Sequence, residues 1–557
     1  MLLHRFLLLS VSLLGPGVPG VGASTPVSAA DAARWREDLK FLAQALPATH
    51  KDAFHKTPRE QFEGAVQRLD QRIPALTRPQ IIMELARLVA LVGDGHTRLD
   101  LPQKAAEFRA YPVKFYVFTD GLYLIAAHRD YSALVGGRVA RIGKVTAEEA
   151  LSAAASATAH DNDMGVKAGA PALLSLPEAL NGLGLTENME QAQLVVEKGG
   201  RQVTAVLKPV PAAPGTPLDG WVGHSPDWVD ARDPASPLPL WLKDPANIFW
   251  YEYLPEKKTV YLQFNAVYPR ERETPAAFFR SAMEFGEKNG AEKFAIDMRL
   301  NTGGNNGFCL PMVHGFIRSD AFNQRGRLFT IIGRQTFSAA QNCANLLEKH
   351  TNTLFVGEPT GASPNSYGDA TPVELPNSKL VARVSTLWWQ DMDPRDTRPW
   401  RAPDLAAEMS FADYRTGRDP ALEAILGYRP QAGVQEQVRA AVEKNDLGAA
   451  RAAIASFRQN PENKYVSAER ELNFLGYELL RNRQPDPAVA VFQLAVEAYP
   501  DSFNAYDSLG EAYMVRGDRE LAIKNYQKSL DLNPGNGNAR VMLRRLTDPT
   551  ASQRAHP

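Results

Sequence analysis

Cysteine is nearly absent from this sequence, since only Cys309 and Cys343 occur. Two cysteines are too few for a disulfide-dense scaffold or for a zinc cluster built on cysteine. They leave two interpretations open: an exported protein could pair them, whereas two buried free thiols are the simpler expectation. The scarcity of cysteine therefore excludes two classes of small domain, those held by several disulfides and those held by zinc–cysteine clusters.

An excess of charge and long apolar runs are also missing. The 62 basic and 63 acidic residues give a formal net charge of −1, so the composition indicates no nucleic acid or anionic membrane as a partner. After the N-terminus, no segment reaches about 18 uncharged apolar residues, and we expect no stable membrane insertion. The 557 residues, 44% of them hydrophobic, are typical of a soluble globular protein with several domains.

The N-terminus has the layout of a signal peptide. Arg5 precedes a short apolar run (FLLLSVSLL), which glycine and proline then interrupt. Small residues that end at Ala23 or Ala29 offer cleavage sites. The run is too short to span a bilayer, although an N-terminal membrane anchor is the alternative. The sequence thus predicts a signal peptide over residues 1–29 and export to the periplasm or the surrounding medium.

Three regions follow the signal peptide. Residues 30–110 have apolar residues at helical spacing and carry the turn GDGHT. Alternating apolar stretches predict strands in residues 111–210, with an Ala-rich helical insert over 147–180. Part of this region (GGRVARIGKVTAEEAL) resembles the loop, strand and helix of a PDZ domain. Residues 211–247 are rich in proline without periodicity, which predicts a linker or an ordered surface loop.

Strands and helices alternate over residues 248–428. The stretches TVYLQFNAV, FAIDMRL, RLFTIIG and TLFVGE predict strands, and helical stretches separate them. Apolar strands that alternate with helices predict parallel βαβ units, in which helices cover the sheet. We therefore expect an α/β core in this segment.

The tail, residues 429–548, repeats itself with a period of 34 residues. Leu475-Gly476 recurs as Leu509-Gly510, and Phe492 recurs as Tyr526. The small residues let two helices cross closely, and the large residues fill the gap between repeats, a pattern that resembles the tetratricopeptide repeat. The sequence predicts an all-α tetratricopeptide-repeat (TPR) tail that binds a protein partner or the substrate.

Two strand ends of the α/β core carry residues suited to acyl transfer. After FAIDMRL, Gly303 and Gly304 allow the backbone to approach a ligand and to present N–H groups to it. After RLFTIIG, the chain turns into a helix at Ser338, and the N–H of Ala339 is one of the unpaired donors of that helix. A hydroxyl beside such donors is what nucleophilic acyl transfer needs. Ser338 and Gln341 also form S-x-x-Q, so a capping box without catalysis is the alternative.

Four short motifs occur in an order that resembles peptidase family S41, which includes the C-terminal-processing proteases and the tricorn protease. They are GDGHT, D-x-R-x-N-x-G-G from Asp297 to Gly304, TFSAA around Ser338, and VGEPTG. The resemblance covers roughly residues 31–428 and implies a crotonase/ClpP-like βαβ core of a serine peptidase. By itself, a turn histidine such as His96 is more often structural than catalytic. The resemblance instead implies a catalytic role for His96.

The resemblance also implies a catalytic set in which Ser338 is the nucleophile. In the Ser/Lys members the lysine follows the serine by 25 residues, a position that Ser363 occupies here. Tricorn-like members instead use a histidine from an earlier segment, and His96 matches that position. They add an acid shortly before a Pro-Asp pair, for which Asp396 is the candidate and Glu358 the weaker alternative.

The function implied by this resemblance is that of an exported serine peptidase. His96 would take the proton of Ser338, which attacks a peptide carbonyl, and the N–H groups of Ala339 and of Gly303 or Gly304 would bind the oxyanion. The expected substrate is a peptide or protein, and no metal or cofactor is expected. Two other functions stay open: a non-catalytic peptide-binding scaffold on the same fold, and an esterase-type acyl hydrolase.

Overall fold

The structure, a computed structural model, describes residues 25–101, 108–211 and 226–547. Most of the predicted signal peptide and part of the predicted linker (211–247) lie outside the described residues. None of the described helices is long and apolar enough to cross a bilayer.

Helices form both ends of the described chain. Their bounds are α1 Ala29–Thr49, α2 Arg59–Arg72, α3 Arg78–Ala90, α4 Ala147–Ala155, α5 Asp163–Leu173, α6 Pro177–Gly182, α7 Pro275–Lys288, α8 Cys309–Ile317, α9 Ala339–His350, α10 Phe411–Thr416, α11 Pro420–Gly427, α12 Val434–Glu443, α13 Leu447–Gln459, α14 Ala468–Arg481, α15 Pro485–Ala498, α16 Phe503–Arg516, α17 Arg519–Leu532 and α18 Gly537–Thr547.

The strands lie in the middle of the chain and build several sheets. Their bounds are β1 Arg98–Asp100, β2 Arg109–Ala110, β3 Val113–Phe118, β4 Gly121–His128, β5 Arg138–Ile142, β6 Val145–Thr146, β7 Ala192–Lys198, β8 Arg201–Leu207, β9 Val210–Pro211, β10 Trp228–Asp230, β11 Phe249–Leu254, β12 Thr259–Phe264, β13 Lys293–Asp297, β14 Leu328–Ile332, β15 Leu354–Gly357, β16 Asn365–Glu374, β17 Val381–Gln390 and β18 Leu405–Ala406.

The contacts within the chain define two compact units. Unit 1 comprises residues 1–245, 361–400 and 409–418, and unit 2 comprises residues 246–360, 401–408 and 419–557. The predicted segment 248–428 is therefore divided between them. The reason is strand pairing, because β17 of the β16–β17 hairpin pairs with β1, which directly follows the GDGHT turn.

Unit 1 combines helices with antiparallel sheets. Strands β3 to β8 and β10 form a seven-stranded sheet, and β16, β17 and β1 form a separate three-stranded sheet. The predicted strands VKFYVF and LYLIAA are confirmed as β3 and β4, and β10 shows that the described part of the predicted linker contributes a strand. A capping box between Thr77 and Gln80 begins α3, whose apolar face is buried in the core of this unit.

Unit 2 contains the predicted α/β core. Its six-stranded sheet has the order β11-β12-β13-β14-β15-β18, in which β11 is antiparallel to β12 and the other neighbours are parallel. Every residue of β12 is buried, as expected for a strand covered on both faces. The prediction of parallel βαβ units is confirmed. The loops after β13 and β14 leave neighbouring parallel strands at the same edge of the sheet.

The tail of unit 2 is a series of helical hairpins from α12 to α18. The repeat pattern is explained by close packing at the two recurring glycines. A Cβ atom on Gly476 would lie 2.3 Å from the ring of Phe492, and one on Gly510 would lie 3.1 Å from the ring of Tyr526. The predicted pairing of a small residue with a large one is therefore confirmed.

Cys309 and Cys343 form a disulfide between α8 and α9 in unit 2, with their Cα atoms 5.0 Å apart. The simpler expectation of two buried free thiols is wrong. The two cysteines are 34 residues apart in the sequence, so no local pattern indicated that they pair. Packing of the two helices against one sheet brings the thiols together.

Candidate active site

Ser338 lies in a strained turn between β14 and α9. Its backbone has φ 54° and ψ −128°, a combination that a residue other than glycine rarely adopts. Such strain costs on the order of 1–3 kcal/mol and is concentrated at functional sites. A sharp strand-to-helix turn that exposes a serine at a sheet edge is also the geometry of the nucleophile elbow in acyl hydrolases.

The capping-box interpretation of Ser338 is wrong. The Ser338 side chain accepts no capping hydrogen bond in α9. The side chain of Gln341 donates instead to Asn345 Oδ1 at 2.8 Å, one turn further along the helix. Helix capping therefore does not account for the serine at this position.

Gly303 lies directly against Ser338. A Cβ atom on Gly303 would be 2.7 Å from Ser338 Cβ and 2.9 Å from the backbone nitrogen of Ala339. Its φ of 112° lies in the region that favours glycine. The structure thus brings the glycine loop, Ser338 and the first turn of α9 together within unit 2, as predicted for these residues.

The two glycines differ in the use of their N–H groups. Gly303 N–H donates to Asn301 Oδ1 at 2.9 Å, so the prediction of a second oxyanion donor falls on Gly304 rather than on Gly303. Gly304 bridges Val267, but this bridge uses the carbonyl of Gly303 and the N–H of Asn305, each at 2.8 Å. Neither of these two hydrogen bonds uses the N–H of Gly304, which is exposed.

Asn301 is a buried residue to which sequence analysis assigned no role of its own. Besides accepting from Gly303, its side chain donates to the carbonyl of Phe264 at 2.9 Å, and its own carbonyl accepts from Phe337 N–H at 3.1 Å. Asn301 thereby connects the end of β12, the glycine loop and the turn before Ser338. An asparagine directly after the apolar stretch FAIDMRL is the signal that could have indicated it.

Asp297 and Arg299, the first two fixed residues of the D-x-R-x-N-x-G-G motif, support the loop that follows β13. Tyr261 donates to Asp297 at 2.7 Å, and Arg299 binds both Asp297 and, through two hydrogen bonds of 2.9 Å, Asp419. Burial raises the pKa of Asp297, while the charge of Arg299 opposes that shift. These buried, mutually paired charges hold the loop after β13 and are engaged with one another.

The turn that carries His96 in unit 1 is organised by Asp94. The carboxylate of Asp94 accepts hydrogen bonds from the N–H groups of His96 and Thr97 at 2.9 and 2.7 Å, from Ser385 Oγ at 2.9 Å, and from His50 Nε2 at 2.9 Å. Burial alone would raise the pKa of Asp94, but the hydrogen bonds from His50 and Thr97 outweigh burial and lower it to about 2. Asp94 is therefore an anion that fixes the backbone of the turn at His96 and Thr97.

A second carboxylate in unit 1, that of Asp161, also supports this turn. Sequence analysis assigned Asp161 no role. Its two oxygens accept from Gly95 N–H at 2.7 Å and from Ser363 N–H at 3.1 Å. Burial, assisted by the charge of Asp94, raises the pKa of Asp161 to about 7. Ser363, which occupies the position of the lysine in Ser/Lys members, donates its Oγ to the carbonyl of Pro399 at 3.0 Å.

The environment of His96 favours its neutral form. Burial lowers the pKa of His96 below 6.5; the negative charges of Asp94 and Asp369 raise it, and the positive charge of Arg98 lowers it further. The imidazole lies beside Gly368, where a Cβ atom would be 3.8 Å from His96 Cε1. A neutral imidazole at pH 7 is the form that can accept a proton.

Both predicted acids have arginine partners. The carboxylate of Asp396 is bound by Arg398 through contacts of 2.7 to 3.0 Å in unit 1. Glu358 is bound on both oxygens by Arg334, at 2.7 and 2.8 Å, in unit 2. Catalytic roles for Ser338, His96 and Asp396 stay predictions.

Within the part of the chain that the structure describes, no group of three or more His, Cys, Asp or Glu side chains could hold a metal ion.

A family model of the tetratricopeptide repeat matches residues 503–536, which form α16 and α17. The chain is 44% identical over 59 residues to Superkiller complex protein 3 of Homo sapiens and 30% identical over 129 residues to the chloroplastic tetratricopeptide repeat domain-containing protein PYG7 of Arabidopsis thaliana. These matches cover 11% and 21% of this chain, but only 4% and 43% of the two relatives. The predicted TPR is confirmed.

Solved structures align with the larger part of the chain. A crystal structure of a CPAF mutant aligns with a TM-score of 0.51 at 14% identity and covers 72% of this chain and 99% of that chain. The photosystem II D1 C-terminal processing protease aligns with a TM-score of 0.34 at 13% identity, covering 70% and 96%. The predicted resemblance to S41 peptidases is confirmed at the level of the fold. The chain has a peptidase-like fold followed by TPR repeats.

Proposed function

We propose that this protein is a serine peptidase in which Ser338 is the nucleophile. The observation that carries the proposal is the strained backbone of Ser338, placed against Gly303 and the first N–H of α9. Backbone strain of this size is expected where it fixes a hydroxyl for nucleophilic attack. A serine that only caps a helix does not require a strained backbone.

In the proposed mechanism, His96 removes the proton from Ser338 as the hydroxyl attacks a peptide carbonyl. The N–H groups of Ala339 and Gly304 stabilise the oxyanion, and Gly303 allows the chain to approach the nucleophile. His96 then donates the proton to the leaving amine, and water releases the acyl group by the reverse sequence. Asp396 orients the imidazole. The lowered pKa of His96 supports its part in this scheme, because the base must be neutral at the start.

The same nucleophile and donors could serve an esterase, whereas a peptide-binding scaffold would need neither. The strained serine favours an acyl hydrolase over a scaffold. Between peptide and ester, the fold shared with CPAF and the TPR repeats favour a protein substrate. We further propose that the repeats recruit that substrate or a partner protein. A chain ending at residue 430 would then keep its activity on a small ester but lose turnover of the protein substrate.

Export is part of the proposal. A disulfide is typical of proteins that mature in an oxidising compartment, and Cys309 and Cys343 form one. Ser28 caps α1 and Val27 N–H donates to the carbonyl of Leu76, so cleavage after Ala29 would remove both contacts. We therefore expect the signal peptide to be cleaved after Ala23 and the mature protein to reach the periplasm or the medium.

A fluorophosphonate probe tests the proposed function, because it reacts with serine hydroxyls that are activated for acyl transfer. We expect stoichiometric labelling of the purified protein, mapped by peptide mass spectrometry to Ser338 and abolished by Ser338→Ala. Ser363→Ala is the matched control, since it removes a serine hydroxyl bonded to a carbonyl outside the proposed machinery. A folded protein that is not labelled at Ser338 would overturn the peptidase and esterase proposals together and favour the scaffold.

A further inference from the structure

We propose that the Cys309–Cys343 disulfide positions the two oxyanion donors, so that full activity requires these two cysteines to be oxidised. The inference rests on the proposed function, since it concerns the same site, and it assigns Cys309 and Cys343 a positioning role. Neither sulfur is proposed to contact the substrate.

The location of the disulfide is the first observation. Cys309 is the first residue of α8 and follows Gly304 by five residues, whereas Cys343 lies in the second turn of α9, four residues after Ala339. The bond therefore joins the two helices that begin directly after the two donor loops. Cys309 Sγ also lies 3.3 Å from the carbonyl oxygen of Ala339, the residue that supplies one donor.

The packing around the disulfide is the second observation. Both cysteines are fully buried in the core of unit 2, to which α8 contributes Met312, Val313 and Phe316 and α9 contributes Ala340, Ala344 and Leu347. Near Cys343, α9 presents the small side chains of Ala340 and Ala344, which bury little apolar area. The disulfide is the covalent connection between α8 and α9, and apolar packing is the other.

Other contacts hold part of the glycine loop without the disulfide. Asn301 binds Gly303, but the hydrogen bonds of its side chain do not extend past Gly303. Beyond Gly304, Asn305 N–H donates to the carbonyl of Val267 at 2.8 Å, which ties the loop to the segment after β12 but not to α9. A contact of 3.5 Å, which is long for a hydrogen bond, joins Asn306 to Asn342 of α9. Loss of the disulfide should therefore shift α9 and the N–H of Ala339 relative to the glycine loop and leave the loop itself in place.

The consequence follows from the tolerance of catalytic geometry. A misplacement of about 1 Å can reduce a rate about a hundredfold. Reduction by a dithiol transfers two electrons and two protons: the sulfur–sulfur bond breaks, two thiols form, and the dithiol becomes a disulfide. The reduced chain would have α8 and α9 joined by packing alone. A chain that stays reduced before export would thus have low activity until it reaches an oxidising compartment.

The experiment compares the full-length Cys309→Ser/Cys343→Ser variant with a matched destabilised control, Val260→Ala. Val260 is fully buried in the same core but lies on β12, away from the disulfide and the donor loops. For each protein we measure the thermal unfolding midpoint, the rate of fluorophosphonate labelling, and kcat and KM for a small ester. We expect the cysteine variant to fold and to lose about 10- to 100-fold in labelling rate and kcat, with KM changed less than about threefold.

The control separates positioning from stability. Val260→Ala should lower the unfolding midpoint while kcat, measured well below that midpoint, stays near the wild-type value. If the cysteine variant keeps a wild-type labelling rate, or if both variants lose activity in proportion to their stability, the inference is overturned. Failure of the wild-type protein to react at Ser338 would instead overturn the proposed function.

A second arm uses the wild-type sequence and covers the case in which the cysteine variant does not fold. The protein is unfolded in a dithiol, returned to native conditions with the thiols still reduced, and assayed before and after reoxidation by oxidised glutathione. Alkylation and mass spectrometry count the free thiols at each step. We expect kcat to recover as the two thiols disappear, and equal kcat in the reduced and oxidised folded states would contradict the inference.

Discussion

The turn that carries Ser338 and the turn that carries His96 are held by different kinds of contact. In unit 2, main-chain hydrogen bonds, two glycines and the neutral side chain of Asn301 fix the turn at Ser338, while mutually paired charges such as Asp297 and Arg299 support the loop after β13. In unit 1, the buried carboxylate of Asp94 and the partly buried carboxylate of Asp161 bind the backbone around His96.

The difference predicts how each turn responds to pH. The amides and glycines at Ser338 do not titrate, and the carboxylates that support the neighbouring loops, Asp297 and Glu358, are each paired with an arginine. The geometry around Ser338 should therefore change little over the working range of pH. The turn around His96 depends on ionisable groups, and those groups differ from each other, since the pKa of Asp94 is about 2 and that of Asp161 about 7. Four predictions follow, from the largest effect to the smallest.

Removing either reacting side chain should have the largest effect. We expect Ser338→Ala and His96→Ala each to lower kcat by about 10⁴- to 10⁶-fold, because the two act as one unit, and the double variant should be no worse than the single ones. Ester hydrolysis by the purified variants measures this, with Ser363→Ala as the nearly unaffected control. A folded His96→Ala protein of near-normal activity would remove the histidine base from the mechanism.

A methyl group on Gly303 tests the backbone support of the nucleophile. In Gly303→Ala the new Cβ would lie 2.7 Å from Ser338 Cβ, and φ at this position is 112°. The same Cβ would lie 2.9 Å from the nitrogen of Ala339 and displace its N–H. We expect kcat to fall about 10²- to 10³-fold, the cost of losing one oxyanion donor. Gly427→Ala is the matched control in unit 2, since its Cβ would meet nothing within 4 Å. Equal activity in the two variants would show that Gly303 only turns the chain.

The pH profile tests the ionisable support of His96. Because the folded pKa of His96 is lowered, the proton acceptor is present above that pKa, and kcat should rise through one ionisation below pH 6.5. Asp369→Asn removes a charge that raises this pKa and should therefore move the midpoint to lower pH. The pH dependence of kcat measures both, and an unchanged midpoint in Asp369→Asn would contradict the assignment of the titration to His96.

Asp161 should give the smallest effect, a change in the slope of stability with pH. Its pKa is raised from 3.8 to about 7 in the folded protein. Between these values the folded state holds a proton that the unfolded state has released, so the free energy of unfolding should fall as pH rises from about 4 to 7. Asp161→Asn should reduce that fall, by at most about 4 kcal/mol on the scale of 1.4 kcal/mol per pKa unit, because the side chain is only partly buried and solvent screens its charge. Denaturant unfolding at several pH values measures the slope, and identical slopes would contradict the prediction.

Local patterns were sufficient for some parts of the site and insufficient for others. The position of Ser338 after a buried strand follows from the apolar run before it and the helical spacing after it. The unequal roles of Gly303 and Gly304 do not follow from such patterns, because the partner that takes the N–H of Gly303 is chosen by the turn in the folded loop. The capping-box motif at Ser338 and Gln341 was misleading for the same reason, since a motif gives possible hydrogen bonds and the packed helix selects among them.

The sequence by itself determined the order of helices and strands, the parallel core, the 34-residue repeats and the candidate nucleophile, because these depend on hydrophobic periodicity and on residues close together in the chain. Only the tertiary structure decided the strain at Ser338, the pairing of Cys309 with Cys343, and the contacts of Asp161 with Gly95 and Ser363. The contacts of Asp161 join residues 66 and 202 positions apart. Hydrogen bonds and covalent links of this kind depend on which chain segments packing brings within about 3 Å of each other, and no local pattern encodes that distance.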